Sequence, residues 1–176
     1  MTTIVLAVTG SVAAVRTPEL VHELRRNGYK VKCVMSAEAK RIIHPNVLHW
    51  ASELPVTTKL SGETEHVKYL GLDGEADLLL IAPSTSNTIS KIACGIDDTP
   101  VTTCAATALG SGKPVIIVPA MHHSMYLNPF VKENLEKLVK SGVTVLDARV
   151  EEGKAKIAEN KEIVESVLHA LGRQDG

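Results

Sequence analysis

The chain has 176 residues with a formal net charge of −1, of which 44% are hydrophobic and 22% charged. That length suits one domain with a sizeable core, and lysines and arginines scattered along a near-neutral chain leave no electrostatic footprint for nucleic acid or an anionic membrane. No apolar run approaches the ~20 residues that span a bilayer.

The opening "MTTIVLAVTG" lacks a basic n-region, so it reads as a first strand over 3–8 rather than a signal peptide. "TIVLAV" is nearly unbroken and rich in β-branched residues, as in a strand buried on both faces. Thr17 is predicted to cap a helix with Pro18 in its first turn and Gly28 past its end. "KVKCVM" (30–35) is a second strand, and Ser36 caps a helix beginning "AEAKRII". The stretch 44–76 is harder to assign; a short helix, a weak strand near "PVTTKL" and a turn fit it. "ADLLLIA" (76–82) is a third strand, followed by helical pattern across "TSNTISKIACG" and "DTPVTTCAATALG". "KPVIIVPA" (113–120) is a fourth strand. A helix starts at Asn128, with Val131, Leu135, Leu138 and Val139 at helical spacing, and Gly142 stops it. "VTVL" (143–146) is a short strand, and "NKEIVESVLHALG" an amphipathic helix. Alternating strands and helices predict an α/β fold: a Rossmann-like or flavodoxin-like three-layer sandwich around a parallel sheet, in a single domain over 1–176.

Three cysteines (Cys33, Cys94, Cys104) are an odd number without CxxC spacing. They fit reduced thiols in a cytoplasmic protein, not a disulfide frame or zinc site. Trp50, Cys94 and Cys104 are most simply packing residues.

In parallel sheets, ligands bind outside the carboxyl ends of the strands. Thr9, Gly10 and Ser11 follow the first strand here, and Ser36 the second. Pro83, Ser84, Thr85, Ser86 and Asn87 follow the third, and Pro119, Ala120, Met121, His122 and His123 the fourth. All four loops are expected on one edge. Small residues and hydroxyls there suit an anion: Gly10 permits close backbone approach, and Ser11, Ser36 and Thr85 offer hydroxyls. Neither phosphate fingerprint is intact, since "GSVAAV" is not GxGxxG and no GK[ST] is present; a tight turn with a cap is the plainer reading of Gly10 and Ser11. His66, taken alone, reads as a surface or capping histidine. His122 and His123 are adjacent and cannot share a helix face, so no metal site is expected. Met121 and Met125, spaced i, i+4, suit the core or an apolar wall for a planar ligand.

The order of "GSVAA", "EHVKYLGLDGEADLLLIAPSTSNTISKIACGI" and "VPAMHHSMYLNP" resembles the flavin-containing cysteine decarboxylases, including phosphopantothenoylcysteine decarboxylase and the lantibiotic peptidyl-cysteine decarboxylases. By that resemblance, Thr85, Ser86, Asn87 and Thr88 match the PASANT pattern that touches FMN. Gly10, Ser11, Val12 and Ser36 match its phosphate side, and Ala120 lies near the flavin. His66 matches the catalytic histidine. "PAMHHSMY" resembles the substrate motif PxMNxxMW: Pro119, Met121 and Met125 match, His122 stands for the asparagine that holds the substrate carboxylate, and Tyr126 for the tryptophan. A histidine can also donate to a carboxylate.

The resemblance implies FMN-dependent oxidation and decarboxylation of a C-terminal cysteine-like thiol, most simply 4'-phosphopantothenoylcysteine in coenzyme A biosynthesis, with His66 as acid/base and His122 orienting the carboxylate. It implies a homotrimer, or a dodecamer of trimers, with the site between subunits. Two departures stand out. The late segment reads "DARVEEGKAKIAENKE", and no cysteine follows Cys104 to protonate the intermediate, which leaves Lys154 or Glu152 as candidates or the reductive half absent. The sequence also ends at Gly176 without the synthetase domain of bifunctional relatives. A flavin prenyltransferase and a non-catalytic FMN-binding electron carrier are the alternative readings.

Overall fold

A computed structural model describes residues 1–147, 149–151 and 154–172. The elements, in chain order, are β1 (Thr3–Val8), α1 (Thr17–Arg26), β2 (Lys30–Met35), α2 (Pro45–Ser52), α3 (Glu65–Leu70) and β3 (Leu78–Ser84). They continue with α4 (Ser86–Ala93), α5 (Pro100–Gly110), β4 (Val115–Pro119), α6 (His123–Tyr126), α7 (Pro129–Lys140) and β5 (Thr144–Val145). A hairpin of β6 (Arg149–Glu151) and β7 (Lys154–Lys156) precedes α8 (Asn160–Ala170).

The main sheet has the order β2-β1-β3-β4-β5, and every pair in it is parallel. This is the flavodoxin-like arrangement, with its topological switch between β1 and β3. Period-2 geometry explains the apolar runs. Ile4, Leu6 and Val8 enter one core cluster, shared with α1, α2 and α8. Val5 and Ala7 enter the other, shared with α3, α4, α5 and α7. Both faces are covered, so each strand is apolar throughout and the expected three-layer sandwich forms.

Local details depart from the sequence reading. Thr17 does not cap α1: a 3-10 turn over Val12–Arg16 runs directly into the helix, and the Thr17 hydroxyl donates to the Ala14 carbonyl at 2.6 Å. Ser36 does accept the Ala39 N–H at 3.1 Å, but only a 3-10 turn over Ala39–Arg41 follows. The following helix, α2, starts afresh at Pro45, capped by His44. The weak strand near "PVTTKL" is reduced to one isolated bridge, Val34 to Thr57. Tertiary packing also corrects two packing assignments: Trp50 is 66% exposed, edge-on to His22, and Cys94 is exposed. Cys104 is buried as expected.

Candidate functional site

The C-terminal ends of β1 and β3 meet at the switch point, where one threonine joins them. The Thr9 hydroxyl donates to the Pro83 carbonyl at 2.7 Å and accepts the Thr85 N–H at 3.1 Å. A parallel pair needs such a cross-link where its ladder stops, because the last polar groups would otherwise be buried unpaired. Thr85 then caps α4: its hydroxyl oxygen accepts the Thr88 N–H at 3.2 Å, and its hydroxyl donates to Thr88 Oγ1 at 3.1 Å. Thr88 is buried, Ser86 half-buried and Asn87 exposed. The neighbouring strand end is fixed by the Ala120 N–H donating to the Ser84 carbonyl at 3.0 Å.

On the other side of β1, Gly10 lies against the loop that follows β2. A Cβ on Gly10 would sit 2.5 Å from Glu38 Cβ, so only glycine permits this approach. The Ser36 N–H donates to the Val8 carbonyl at 3.0 Å, which pins the second loop to the first. Ser11 Oγ accepts from the Ala13 N–H at 3.3 Å. Among the described residues neither the Ser11 nor the Ser36 hydroxyl donates a hydrogen bond, so both protons are available to an acceptor. Val12 beside them is exposed.

His66 stands on the first turn of α3. That helix leads back to the start of β3, so its N-terminus faces the carboxyl edge of the sheet. Its loop is tied by Glu65, which accepts from the Ser61 N–H at 2.9 Å and the Ser61 hydroxyl at 2.7 Å. These bonds, the backbone one first, hold the Glu65 carboxyl down at about 2. His66 is half-buried, and its Nδ1 is buried without a hydrogen-bond partner.

His122 is exposed and caps the short α6; Met121 is half-buried against the second core cluster, and Met125 is 47% exposed. Thus Gly10, Ser11, Val12, Ser36, Thr85, Ser86, Asn87, Thr88, Ala120, Met121, His122 and Met125 all lie at or just beyond the carboxyl ends of β1–β4, as the sequence analysis expects. His66 lies on α3, apart from these strand ends in the chain. Lys154 and Glu152 lie outside the residues whose side chains are described.

Sequence reasoning placed Thr9 at the first strand end but gave it no role, because that role needs the Pro83 and Thr85 partners 74 and 76 residues away. It likewise placed Ser84 at the third strand end without a role; there Ser84 is fully buried with an unpartnered Oγ. A third omission is a groove of about 320 Å³ next to Ser36, lined by Ala37, Thr58, Leu60, Asp97, Thr99 and Thr103. Its residues come from three separate segments, two loops and the start of α5 with the loop before it, so no local pattern marks it. Among the described residues, no three His, Cys, Asp or Glu side chains cluster to hold a metal ion, and no helix is long and apolar enough to cross a membrane.

The Flavoprotein family model matches residues 1–172. This chain belongs to the Flavoprotein family. It is 53% identical over 169 residues to the coenzyme A biosynthesis bifunctional protein CoaBC of Thermococcus kodakarensis, covering 96% of this chain and 42% of that protein. The chain therefore spans less than half the length of that bifunctional relative. It is 38% identical over 141 residues to a Streptococcus mutans protein named "Probable phosphopantothenoylcysteine decarboxylase", covering 79% of this chain and 78% of the other. Among solved structures, the FMN-dependent cysteine decarboxylase SpaF superposes with a TM-score of 0.81 at 25% identity, over 97% of this chain and 98% of that one. The donor set of this flavoprotein fits a phosphorylated flavin: a glycine that lets backbone approach closely, two hydroxyls with free protons, and buried unpartnered polar atoms on Ser84 and His66.

Proposed function

We propose that this flavoprotein is an FMN-dependent carboxy-lyase that decarboxylates a C-terminal cysteine-like thiol, most simply 4'-phosphopantothenoylcysteine, to give 4'-phosphopantetheine in coenzyme A biosynthesis. The observation that carries it is the convergence at the β1/β3 switch point of the Thr9–Thr85 cross-link, the Gly10 approach and the free serine hydroxyls, with His122 following β4 on the same sheet edge. The names of the Thermococcus and Streptococcus relatives support the substrate class.

In this reading Gly10, Ser11, Val12 and Ser36 hold the FMN phosphate through neutral N–H and O–H donors. Thr85, Ser86, Asn87, Thr88 and Ala120 line the remainder of the cofactor. Bound FMN supplies two-electron redox chemistry at the substrate thiol carbon. His66 moves a proton near the thiol. His122 orients the carboxylate, flanked by Met121 and Met125 as apolar wall. Positioning of this kind lowers a barrier without proton transfer.

A homotrimer is part of the proposal; the exposed side chains of Met125 (47%), Leu127 (49%) and Phe130 (72%) beside His122 support burial against another subunit. So is work in the reducing cytoplasm, supported by three free cysteines.

The test is His66→Asn. Product mass after incubation with phosphopantothenoylcysteine should show CO2 loss for the parent protein and at least a hundredfold slower loss for the variant, with FMN still bound. Equal CO2 loss in parent and variant would remove His66 from the chemistry, and no CO2 loss from the FMN-loaded parent would favour an electron carrier.

A further inference from the structure

The exchange of asparagine for histidine at position 122 works only if the imidazole offers a hydrogen where the amide would. A neutral imidazole carries one N–H, and a neighbouring hydrogen bond decides which nitrogen bears it. Here the neighbour is Ser124. The Ser124 backbone N–H points at His122 Nδ1 at 3.4 Å, and the Ser124 hydroxyl lies 2.9 Å from the same nitrogen. A backbone N–H can only donate. Nδ1 must therefore be the unprotonated nitrogen, the hydroxyl donates to it as well, and the ring proton resides on Nε2. Among the described residues Nε2 has no hydrogen-bond partner, and His122 is exposed.

We propose that Ser124 is a positioning residue: its hydroxyl and N–H lock His122 as the Nε2–H tautomer, and that single neutral N–H is the donor presented to the substrate carboxylate. This rests on the decarboxylase reading above. The lock also fixes ring orientation, because two donors from one residue converge on Nδ1.

The molecule contains both reference states. His44 Nδ1 accepts the Asn46 N–H at 3.2 Å, which makes it an Nε2–H ring. His49 Nδ1 lies 2.8 Å from the Leu54 carbonyl, which can only accept, so that ring is Nδ1–H. Nitrogen-15 spectra of the histidine-labelled protein at about pH 8, above the ordinary imidazole range, read the tautomers directly. His122 should group with His44 and opposite His49. In Ser124→Ala the backbone N–H still donates to Nδ1, so His122 should stay in the group of His44, whose Nδ1 likewise accepts one backbone N–H, while the ring loses the 2.9 Å hydroxyl contact that fixes its orientation. The KM for phosphopantothenoylcysteine should rise about fivefold with kcat within twofold, and Ser124→Thr should restore it. His122 grouping with His49 overturns the proposal, as does an unchanged KM in Ser124→Ala. An inactive parent protein would count against the decarboxylase reading instead. The spectrum would then still decide the tautomer. Binding of the cysteine-terminated compound relative to its decarboxylated product would decide the donor: a preference lost in Ser124→Ala upholds it, and no preference overturns it.

Discussion

Thr9→Val asks how much of the site's geometry depends on one hydroxyl. Thr9 is 1% exposed, and valine keeps its shape, so packing is preserved. The change deletes the 2.7 Å bond to the Pro83 carbonyl and the acceptor of the Thr85 N–H. Pro83 keeps a weaker donor, the Thr9 N–H at 3.3 Å. The Thr85 N–H loses its acceptor. One net hydrogen bond contributes about 1 kcal/mol and a stranded buried donor costs about 1–3 kcal/mol; relief from desolvating the threonine hydroxyl offsets part of this, which leaves a loss of about 2 kcal/mol. For a domain of this size that corresponds to a thermal midpoint about 4–8 °C lower. Because Thr85 opens α4 and belongs to the proposed FMN cradle, FMN affinity should fall about fivefold as well. Thermal unfolding and flavin fluorescence titration measure the two effects, and Thr9→Ser, which keeps the hydroxyl, should stay near the parent in both. An unchanged midpoint together with unchanged FMN affinity in Thr9→Val would refute the cross-link argument.

Two further perturbations probe ionisation. Burial pushes the Cys33 thiol up to about 12, against a smaller opposing effect from Ser52, and pushes Cys104 up to about 12, with Glu65 adding to it. A thiolate-specific reagent at about pH 8 should therefore modify Cys94 alone in the folded protein, counted by intact mass, and all three cysteines after denaturation. Glu65 is held at about 2 in the folded chain, chiefly by the Ser61 N–H. A depressed carboxyl pKa stabilises the fold above the unfolded value near 4.5 and loses that contribution as pH falls through about 2. Glu65→Gln should flatten the acid limb of the stability curve between those values; an identical limb in equilibrium unfolding would show that the Ser61 tether contributes nothing to it.

The apolar runs were legible because a parallel sheet covered on both faces demands them. Ile4, Val5, Leu6, Ala7 and Val8 are all fully buried, and no other common environment asks that of consecutive residues. Loops of small and hydroxyl residues after each run then placed the candidate site, since parallel strands send their carboxyl ends to one edge. The sequence by itself therefore determined the fold class, the edge that carries the candidate site and the residue types there. Tertiary structure decided what depends on contacts between distant segments. Thr9 becomes a cross-link only when β1 and β3 pair, and the groove beside Ser36 exists only when loops around positions 37, 58 and 97 converge. Trp50 and Cys94 look like core by composition, yet Trp50 lies on an exposed face of α2 with the edge of His22 against it, and Cys94, just past the end of α4, is exposed. The proton on His122 was equally hidden, because the position of Ser124 Oγ relative to the ring is set by the turn of α6, a matter of backbone geometry rather than residue order.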